Sequence, residues 1–177
     1  MTWQHPAADE PLLTVRLELV PAIADHAEEL TEVFGDERLY AFLASQPTTT
    51  EELRDQFARL AADRLADKKG PRSETGRCAA AAMAGRWAYC RRPSPNQGRA
   101  AEIAWAVGVA WQGQGIASEA ARAVVRWLER RGVATITALI HPDHHASAKV
   151  ATRAGLQPTG GSRDHHRDRH RPRWQLR

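Results

Sequence analysis

Residues 111–119, Trp111-Gln112-Gly113-Gln114-Gly115-Ile116-Ala117-Ser118-Glu119, carry the clearest indication of the fold. It follows a strand-like segment, 101–109, and precedes a helical pattern over 117–131 that Gly132 ends. The first turn of a helix exposes backbone N–H groups without intrahelical partners, and the helix dipole makes that end positive. Gly113 and Gly115 allow the backbone to bend there and to approach an anion closely. The stretch therefore predicts an anion-binding turn between a strand and a helix.

A plain tight turn, with glycine present only for its geometry, is the alternative for this stretch. The stretch lacks the Lys-Ser/Thr of a P-loop and the full glycine spacing of a dinucleotide-binding fold. The turn alone therefore does not distinguish the two interpretations.

Strands and helices alternate around this turn. Residues 12–20 alternate apolar and polar side chains, which predicts one half-buried strand with Leu13, Val15, Leu17 and Leu19 on its buried face. Thr49 and Glu52 have the spacing of a capping box at the start of a helix. The other predicted elements are a helix from 21 to Gly35, strands at 78–83, 86–91 and 133–140, and a helix at 146–154. We expect a single domain, 1–177, with a three-layer α/β or α+β fold and a mixed sheet.

The excess positive charge of the chain lies in one short segment. The net charge is +4, and residues 161–177 contain six Arg and two Asp, so the remainder is neutral. His166 and His170 in this segment have the i,i+4 spacing of a helical zinc pair, but the surrounding arginines would repel a divalent cation. We therefore predict no metal. A solvated surface loop and an arm that contacts RNA remain the two interpretations.

Composition excludes several other classes of protein. Hydrophobic residues make up 42% of the chain, which suffices for a core. No apolar run approaches the roughly 18 residues of a membrane helix, and the N-terminal residues show no secretory signal. Cys78 and Cys90 are too few for a disulfide framework. We expect a cytoplasmic protein without membrane contact, either a monomer or a homodimer.

Three segments together resemble the GCN5-related N-acetyltransferases (GNAT), and in particular their RimJ/RimL-like branch. Gln112-Gly113-Gln114-Gly115-Ile116-Ala117 is similar to the acyl-CoA pyrophosphate motif, Gln/Arg-x-x-Gly-x-Gly/Ala. The segment 141–156, which includes His144, Ser147, Val150 and Gly155-Leu156, resembles the pattern Asn-x-x-Ser-x-x-Val followed by Gly-Phe. Ala101-Glu102-Ile103-Ala104-Trp105 is similar to the Glu-Ile-Gly-Tyr strand of that branch. Each motif alone is weak, but their order and spacing make the set specific.

The resemblance implies a mixed, mostly antiparallel sheet with a splayed parallel strand pair and helices on both faces. It implies that acetyl-CoA is the acyl donor, with pantetheine in the gap between 102–109 and 133–140. The resemblance places the backbone of Val107 and Val109 beside pantetheine and the thioester, with an amide near Val107 as oxyanion donor. The amides of Gly113, Gln114, Gly115, Ile116, Ala117 and Ser118 would hold the pyrophosphate, assisted by Gln112.

The resemblance also implies direct acetyl transfer to a primary amine, either a protein N-terminus or a small molecule. Glu102 is the candidate base, acting directly or through a water, although an ordinary solvated carboxylate on a half-exposed strand is equally consistent with its position. Ser147 would protonate the leaving thiolate, or serve as a first-turn residue of its helix. His144 replaces the family's Asn, where it would contact pantetheine or transfer protons.

The acceptor is not determined by these motifs. In this family the loop between the last two strands borders the acceptor site, so the Arg/His-rich segment 161–173 would favour an acidic or carboxylate-bearing substrate. The alternative function is a catalytically weak or inactive CoA-binding module that contacts RNA, the ribosome or a protein partner through that segment.

Overall fold

Two β-sheets and four α-helices form the part of the chain that the computed structural model describes, namely residues 11–21, 23–42, 47, 49–67, 79–82, 100–162 and 171–176. The first sheet is antiparallel in the order β1-β2-β3, with β1 at Leu12–Leu13, β2 at Glu18–Pro21 and β3 at Ala79–Ala82. The second sheet has the order β4-β5-β7-β6. Its strands are β4 (Ala100–Glu102), β5 (Thr135–Leu139), β6 (Leu156–Ser162) and β7 (Arg171–Leu176).

The second sheet combines both strand directions. β4 is parallel to β5, whereas β5 with β7 and β6 with β7 are antiparallel. The helices are α1 (Ala27–Phe34), α2 (Thr50–Asp67), α3 (Ile116–Arg130) and α4 (His145–Arg153). α1 packs against α2, and α3 packs against α4. The predicted α/β fold with a mixed sheet is confirmed.

The prediction of one strand over 12–20 is wrong, because this segment folds back on itself as a hairpin. Leu12 pairs with Leu19 and Leu13 with Glu18, so 14–17 forms the connection. Leu17 and Leu19 are buried in the core as expected, but Leu13 is 74% and Val15 98% exposed. An alternation of apolar and polar residues predicts extended backbone, but it does not show where the chain turns back within the alternating segment.

The helix predicted from 21 to Gly35 begins only at Ala27, because Pro21 is the last residue of β2 and pairs with Ala79; the fixed φ of proline suits a strand end as well as a first helical turn. The other local signals for the helices are confirmed. The backbone N–H of Thr49 donates to Glu52 Oε2 at 2.9 Å, and that of Glu52 donates to Thr49 Oγ1 at 3.3 Å, which is the predicted capping box. Gly35 is the C-cap of α1. Gly132 and Gly155 follow α3 and α4 with φ of 72° and 93°, a left-handed conformation that glycine adopts without steric cost.

One cluster of buried side chains joins the elements around the central turn. α3 contributes the largest set, and β5 contributes Ile136 and Ala138. β5 alternates buried and half-buried residues, so one of its faces is more deeply buried than the other. The buried residues of α3 are Ile116, Ser118, Ala120, Ala121, Val124, Val125 and Leu128. This packing fixes the N-terminus of α3 relative to β4 and β5.

Several predictions lie outside the described residues. These are the strand at 86–91 and the part of the Arg/His-rich segment at 163–170. Within the described ranges, none of the helices combines the length and the apolarity that crossing a membrane requires. Those same ranges contain no cluster of three or more His, Cys, Asp or Glu residues suited to a metal ion.

Candidate active site

β4 and β5 separate directly after the last residue of β4. Their ladder pairs Ala100 with Thr135 and Glu102 with Thr137, and the N–H of Ile103 donates to Thr137 O at 2.7 Å. Beyond that bond, no ladder hydrogen bond joins residues 104–108 to β5 in the described chain. The predicted strand 101–109 therefore ends at Glu102. The divergence leaves an open strand edge that an extended ligand could extend by backbone pairing.

The glycine turn lies at the end of this divergence. Gly113 and Gly115 have φ of 75° and 79°, and a Cβ built at Gly113 would meet no atom within 4 Å. Among the described residues, no group accepts a hydrogen bond from the backbone N–H groups of 113–118. The first helical bond comes from the N–H of Glu119 to Gly115 O at 3.0 Å. Six donors at a helix N-terminus, with open space beside the glycine, are suited to an anion.

Ser118 adds a buried hydroxyl to the same turn. It is only 3% exposed, and its Oγ has no hydrogen-bond partner among the described residues. A buried hydroxyl without a partner carries a free-energy cost that a bound polar ligand would relieve.

The segment between β4 and the turn is stabilised by its own hydrogen bonds. Gln112 Nε2 donates to Val107 O at 3.1 Å, and the N–H of Gln112 donates to Val109 O at 3.3 Å. Val107 is buried. The carbonyls of Val107 and Val109 are thus occupied within the protein, and only their N–H groups lack an acceptor in the described chain. Gln112 accordingly fixes the conformation of this segment.

A hydrogen-bonded cluster of side chains, which no sequence pattern predicted, contacts the glycine turn. Arg16 forms a 2.6 Å ion pair with Glu119, and its Nη1 donates to Gln114 O at 3.0 Å. Thr14 Oγ1 donates to Glu119 Oε1 at 2.6 Å. Burial raises the pKa of Glu119, but the hydrogen bonds from Thr14 and Arg16 outweigh it and hold this pKa below its usual value. The β1–β2 connection is therefore attached to the first turn of α3.

We expect Arg16→Met to lower the free energy of unfolding by about 1 kcal/mol, because it removes a multiply bonded but partly solvated ion pair. Arg38→Met is the matched control, since it breaks an exposed ion pair of the same 2.6 Å length with Asp36, two residues away. Urea unfolding would measure both variants. Equal effects of the two substitutions would contradict a special role for Arg16.

The N-terminus of α4 brings the second group of predicted residues together. His144 is the N-cap, and its Nδ1 accepts from the N–H of Ser147 at 3.4 Å. Trp105 Nε1 donates to Ser147 Oγ at 3.2 Å. Ser147 is thus the first-turn residue that the sequence suggested, and Trp105 connects the segment after β4 to α4. No sequence signal pointed to this bond, because the two residues belong to separate elements.

His144 is held as a neutral imidazole. Burial lowers its pKa, and the neighbouring imidazoles of His141 and His145 lower it further. The ring of Phe42 covers it at a centroid distance of 4.5 Å. Because Nδ1 accepts a hydrogen bond, the proton of the neutral ring resides on Nε2. In this arrangement His144 can donate a hydrogen bond from Nε2 but has no free lone pair with which to act as a base.

This arrangement predicts a loss of stability in acid. In the unfolded chain His144 titrates near the ordinary histidine pKa of 6.5, whereas its pKa in the folded protein is lower. Above pH 6.5 the ring is neutral in both states and its titration does not affect stability. Below pH 6.5 the unfolded state binds the proton first, so stability falls as the pH drops through the folded pKa. Protonation at Nδ1 would also break the cap.

We expect His144→Asn to weaken this acid dependence, because Asn also caps helices but does not titrate. Melting temperatures of both proteins between about pH 7.5 and about pH 5.5 would measure it. Equal slopes for wild type and variant would show that His144 is not the group responsible.

Glu102 lies at the end of β4, where the two strands separate. It is half-buried, and its neighbours Ala101 and Ile103 are buried in the core. Because side chains alternate along a strand, Glu102 lies on the face opposite to these two. This position, at the start of the gap, is the one predicted for the candidate base.

A match to a family model identifies the class of protein. Residues 16–157 match the acetyltransferase (GNAT) domain family, so the chain belongs to this family of acetyltransferases. No curated protein sequence matches the chain significantly.

Solved structures share the fold over nearly the whole chain. RimL, the ribosomal L7/L12 alpha-N-protein acetyltransferase in complex with coenzyme A, has a TM-score of 0.77 at 21% identity, covering 94% of this chain and 97% of its own. The ribosomal-protein-S5-alanine acetyltransferase from Vibrio fischeri has a TM-score of 0.77 at 13% identity, with coverages of 94% and 96%. AAC(6')-Ib in complex with ribostamycin and coenzyme A has a TM-score of 0.69 at 14% identity, with coverages of 89% and 91%. The predicted RimJ/RimL-like branch agrees with these neighbours at the level of the fold.

Proposed function

We propose that this protein transfers an acetyl group from acetyl-CoA to a primary amine by direct attack on the thioester. One observation carries the proposal: the amides of 113–118 have no acceptor in the described chain, and they lie beside the open edge between β4 and β5. A diphosphate would match the amides of 113–118, and an extended chain of amide groups attached to it would match the open strand edge. The coenzyme A complexes of similar folds support the same assignment.

Acetyl-CoA would occupy the two features in sequence. The pyrophosphate accepts hydrogen bonds from the amides of 113–118, where the dipole of α3 adds to the attraction. The pantetheine arm lies in the gap and pairs with the exposed edge of β5 and with the N–H of Val109. Gln112 keeps 107–112 in the conformation that this binding requires.

The reacting groups then lie around the thioester. The N–H of Val107 donates to the carbonyl oxygen as negative charge develops there, an interaction worth about 2.7–4 kcal/mol in other enzymes. Glu102, through a water, takes the proton that the attacking amine must lose. Ser147 donates to the departing sulfur, and His144 contacts the pantetheine arm as a donor. Of the proton-transfer candidates, the tautomer of His144 favours Glu102 as the base.

The acceptor is an amine of unassigned identity. The similar structures act on quite different amines, a ribosomal protein N-terminus in RimL and an aminoglycoside in AAC(6')-Ib. The positive charge of 161–173 favours an acceptor with a carboxylate or an acidic neighbour. A panel that includes peptide N-termini, acidic peptides and aminoglycosides, followed by CoA release, would identify the class.

Binding of acetyl-CoA tests the proposal before the acceptor is known. A ligand at about 100 times its Kd stabilises the native state by about 2.7 kcal/mol, so millimolar acetyl-CoA should raise the melting temperature by several degrees. An unchanged melting temperature would overturn the proposal. Binding without CoA release across the whole amine panel would instead favour a CoA-binding module without catalysis.

A further inference from the structure

The Ser147 hydroxyl differs in what it bonds from two threonine hydroxyls in the helices, Thr31 and Thr152. Thr31 Oγ1 donates to Ala27 O at 2.7 Å, and Thr152 Oγ1 donates to Ala148 O at 3.1 Å. Both threonines thereby use their protons on the preceding helical turn. Ser147 Oγ is instead a hydrogen-bond acceptor, at 3.2 Å from Trp105 Nε1.

The chemistry of the indole group determines the direction of this bond. Trp Nε1–H can only donate, so the contact occupies a lone pair of Ser147 Oγ and leaves its proton unused. The backbone N–H of the same residue is occupied by His144 Nδ1. The backbone and the oxygen of Ser147 are therefore both fixed, while the O–H bond is directed away from Trp105.

We infer that Trp105 is a positioning residue that orients the Ser147 hydroxyl so that its proton faces the sulfur of the departing CoA. The inference rests on the proposed function. The amine nitrogen forms the C–N bond, the C–S bond breaks, and its electron pair moves to sulfur. Sulfur takes the Ser147 proton, and water returns a proton to Oγ, while the proton of the amine leaves through Glu102. Without the indole donor, the hydroxyl would rotate and donate to other acceptors for part of the time.

Trp105→Phe removes the N–H donor and keeps an aromatic ring. We expect kcat to fall about fivefold with an unchanged KM for acetyl-CoA, which corresponds to one neutral hydrogen bond. In a Ser147→Ala background the same substitution should have no further effect on kcat, because the group it orients is absent. Trp127→Phe is the matched control, since Trp127 also packs against the core at its edge but stacks with Arg131 at the end of α3.

A second measurement does not depend on the acceptor. The thiolate of bound CoA absorbs in the ultraviolet, so its pKa can be titrated in the complex of each variant with CoA. We expect Trp105→Phe to raise the pKa of the bound thiol by about 0.5 to 1, and Ser147→Ala to raise it at least as much. The double variant should match Ser147→Ala.

The outcomes separate the inference from the proposed function. An unchanged pKa of the bound thiol in Trp105→Phe would overturn the role of Trp105. So would an equal loss of kcat when the substitution is made in the wild type and in Ser147→Ala. Neither result would affect the proposed acetyl transfer. Failure of the wild-type protein to bind CoA overturns the proposed function and, with it, the inference. A lower melting temperature together with a changed KM in Trp105→Phe, at an unchanged kcat, would assign the residue a purely structural role.

Discussion

Glu102→Gln is expected to lower kcat by about 100- to 10,000-fold and to leave the Kd for acetyl-CoA unchanged, because the glutamine amide cannot accept the proton of the attacking amine. The substitution keeps the size and the hydrogen-bonding capacity of the side chain. Glu102 lies at the end of β4, where the ladder with β5 ends, so its loss affects the acceptor side and leaves the glycine turn intact. Steady-state kinetics with an accepted amine, together with calorimetric titration of acetyl-CoA, would measure both quantities.

Glu18→Gln is the matched control for this experiment. Glu18 is an exposed glutamate at the start of β2, and it pairs with Leu13 and Ala82 away from the gap between β4 and β5. The control should retain the kcat of the wild type. If Glu102→Gln also kept its kcat within about twofold of the wild type, Glu102 would not be the base, and a water released to bulk solvent would take that role.

Gly113→Ala is expected to weaken acetyl-CoA binding by about 10- to 100-fold, equivalent to losing one hydrogen bond to a charged group. The backbone of Gly113 has φ of 75°, and its Cβ would enter the open space next to the donor amides. A methyl group there would displace phosphate oxygens from the N–H groups of the turn. The left-handed conformation adds a stability cost of about 1–2 kcal/mol for alanine.

Gly132→Ala separates these two effects. Gly132 has a nearly identical φ of 72° and likewise meets no atom within 4 Å, but it follows the C-terminus of α3. It should show the same loss of stability and unchanged acetyl-CoA binding. Equal affinities in the two variants would show that the turn at 113–118 does not contact the diphosphate. Calorimetry and urea unfolding of both proteins would provide the comparison.

Several elements of the fold follow from local chemistry. The capping box of Thr49 and Glu52, the glycine that ends α1, and the strand–turn–helix order of 101–131 all depend on residues within a few positions of one another. Such signals are present in the sequence because the interactions themselves are local. The family resemblance made it possible to predict the fold from these local signals, and the match of residues 16–157 to the family confirms the resemblance.

The hairpin at 12–19 could not be predicted from local patterns. The turn at 14–17 is closed by the hydrogen bond from the Thr14 N–H to Leu17 O at 2.8 Å, and Thr14 and Arg16 also bind Glu119, which lies 105 and 103 positions away. Of the four apolar residues in the alternating pattern, only Leu17 and Leu19 are buried, whereas Leu13 and Val15 are exposed. A pairing across such a separation leaves no local pattern in the sequence.

Local sequence signals were sufficient to predict the class of protein and the strand–turn–helix order of 101–131, since these depend on residues that are close together in the chain. Tertiary structure alone decided the protonation state of His144, because burial beneath Phe42 and the neighbouring imidazoles set its pKa. It likewise decided the direction of the Ser147 proton, because the indole of Trp105 reaches Ser147 from another element. Both depend on three-dimensional proximity, and a hydrogen bond or a low dielectric environment exists only once the chain has brought distant residues together.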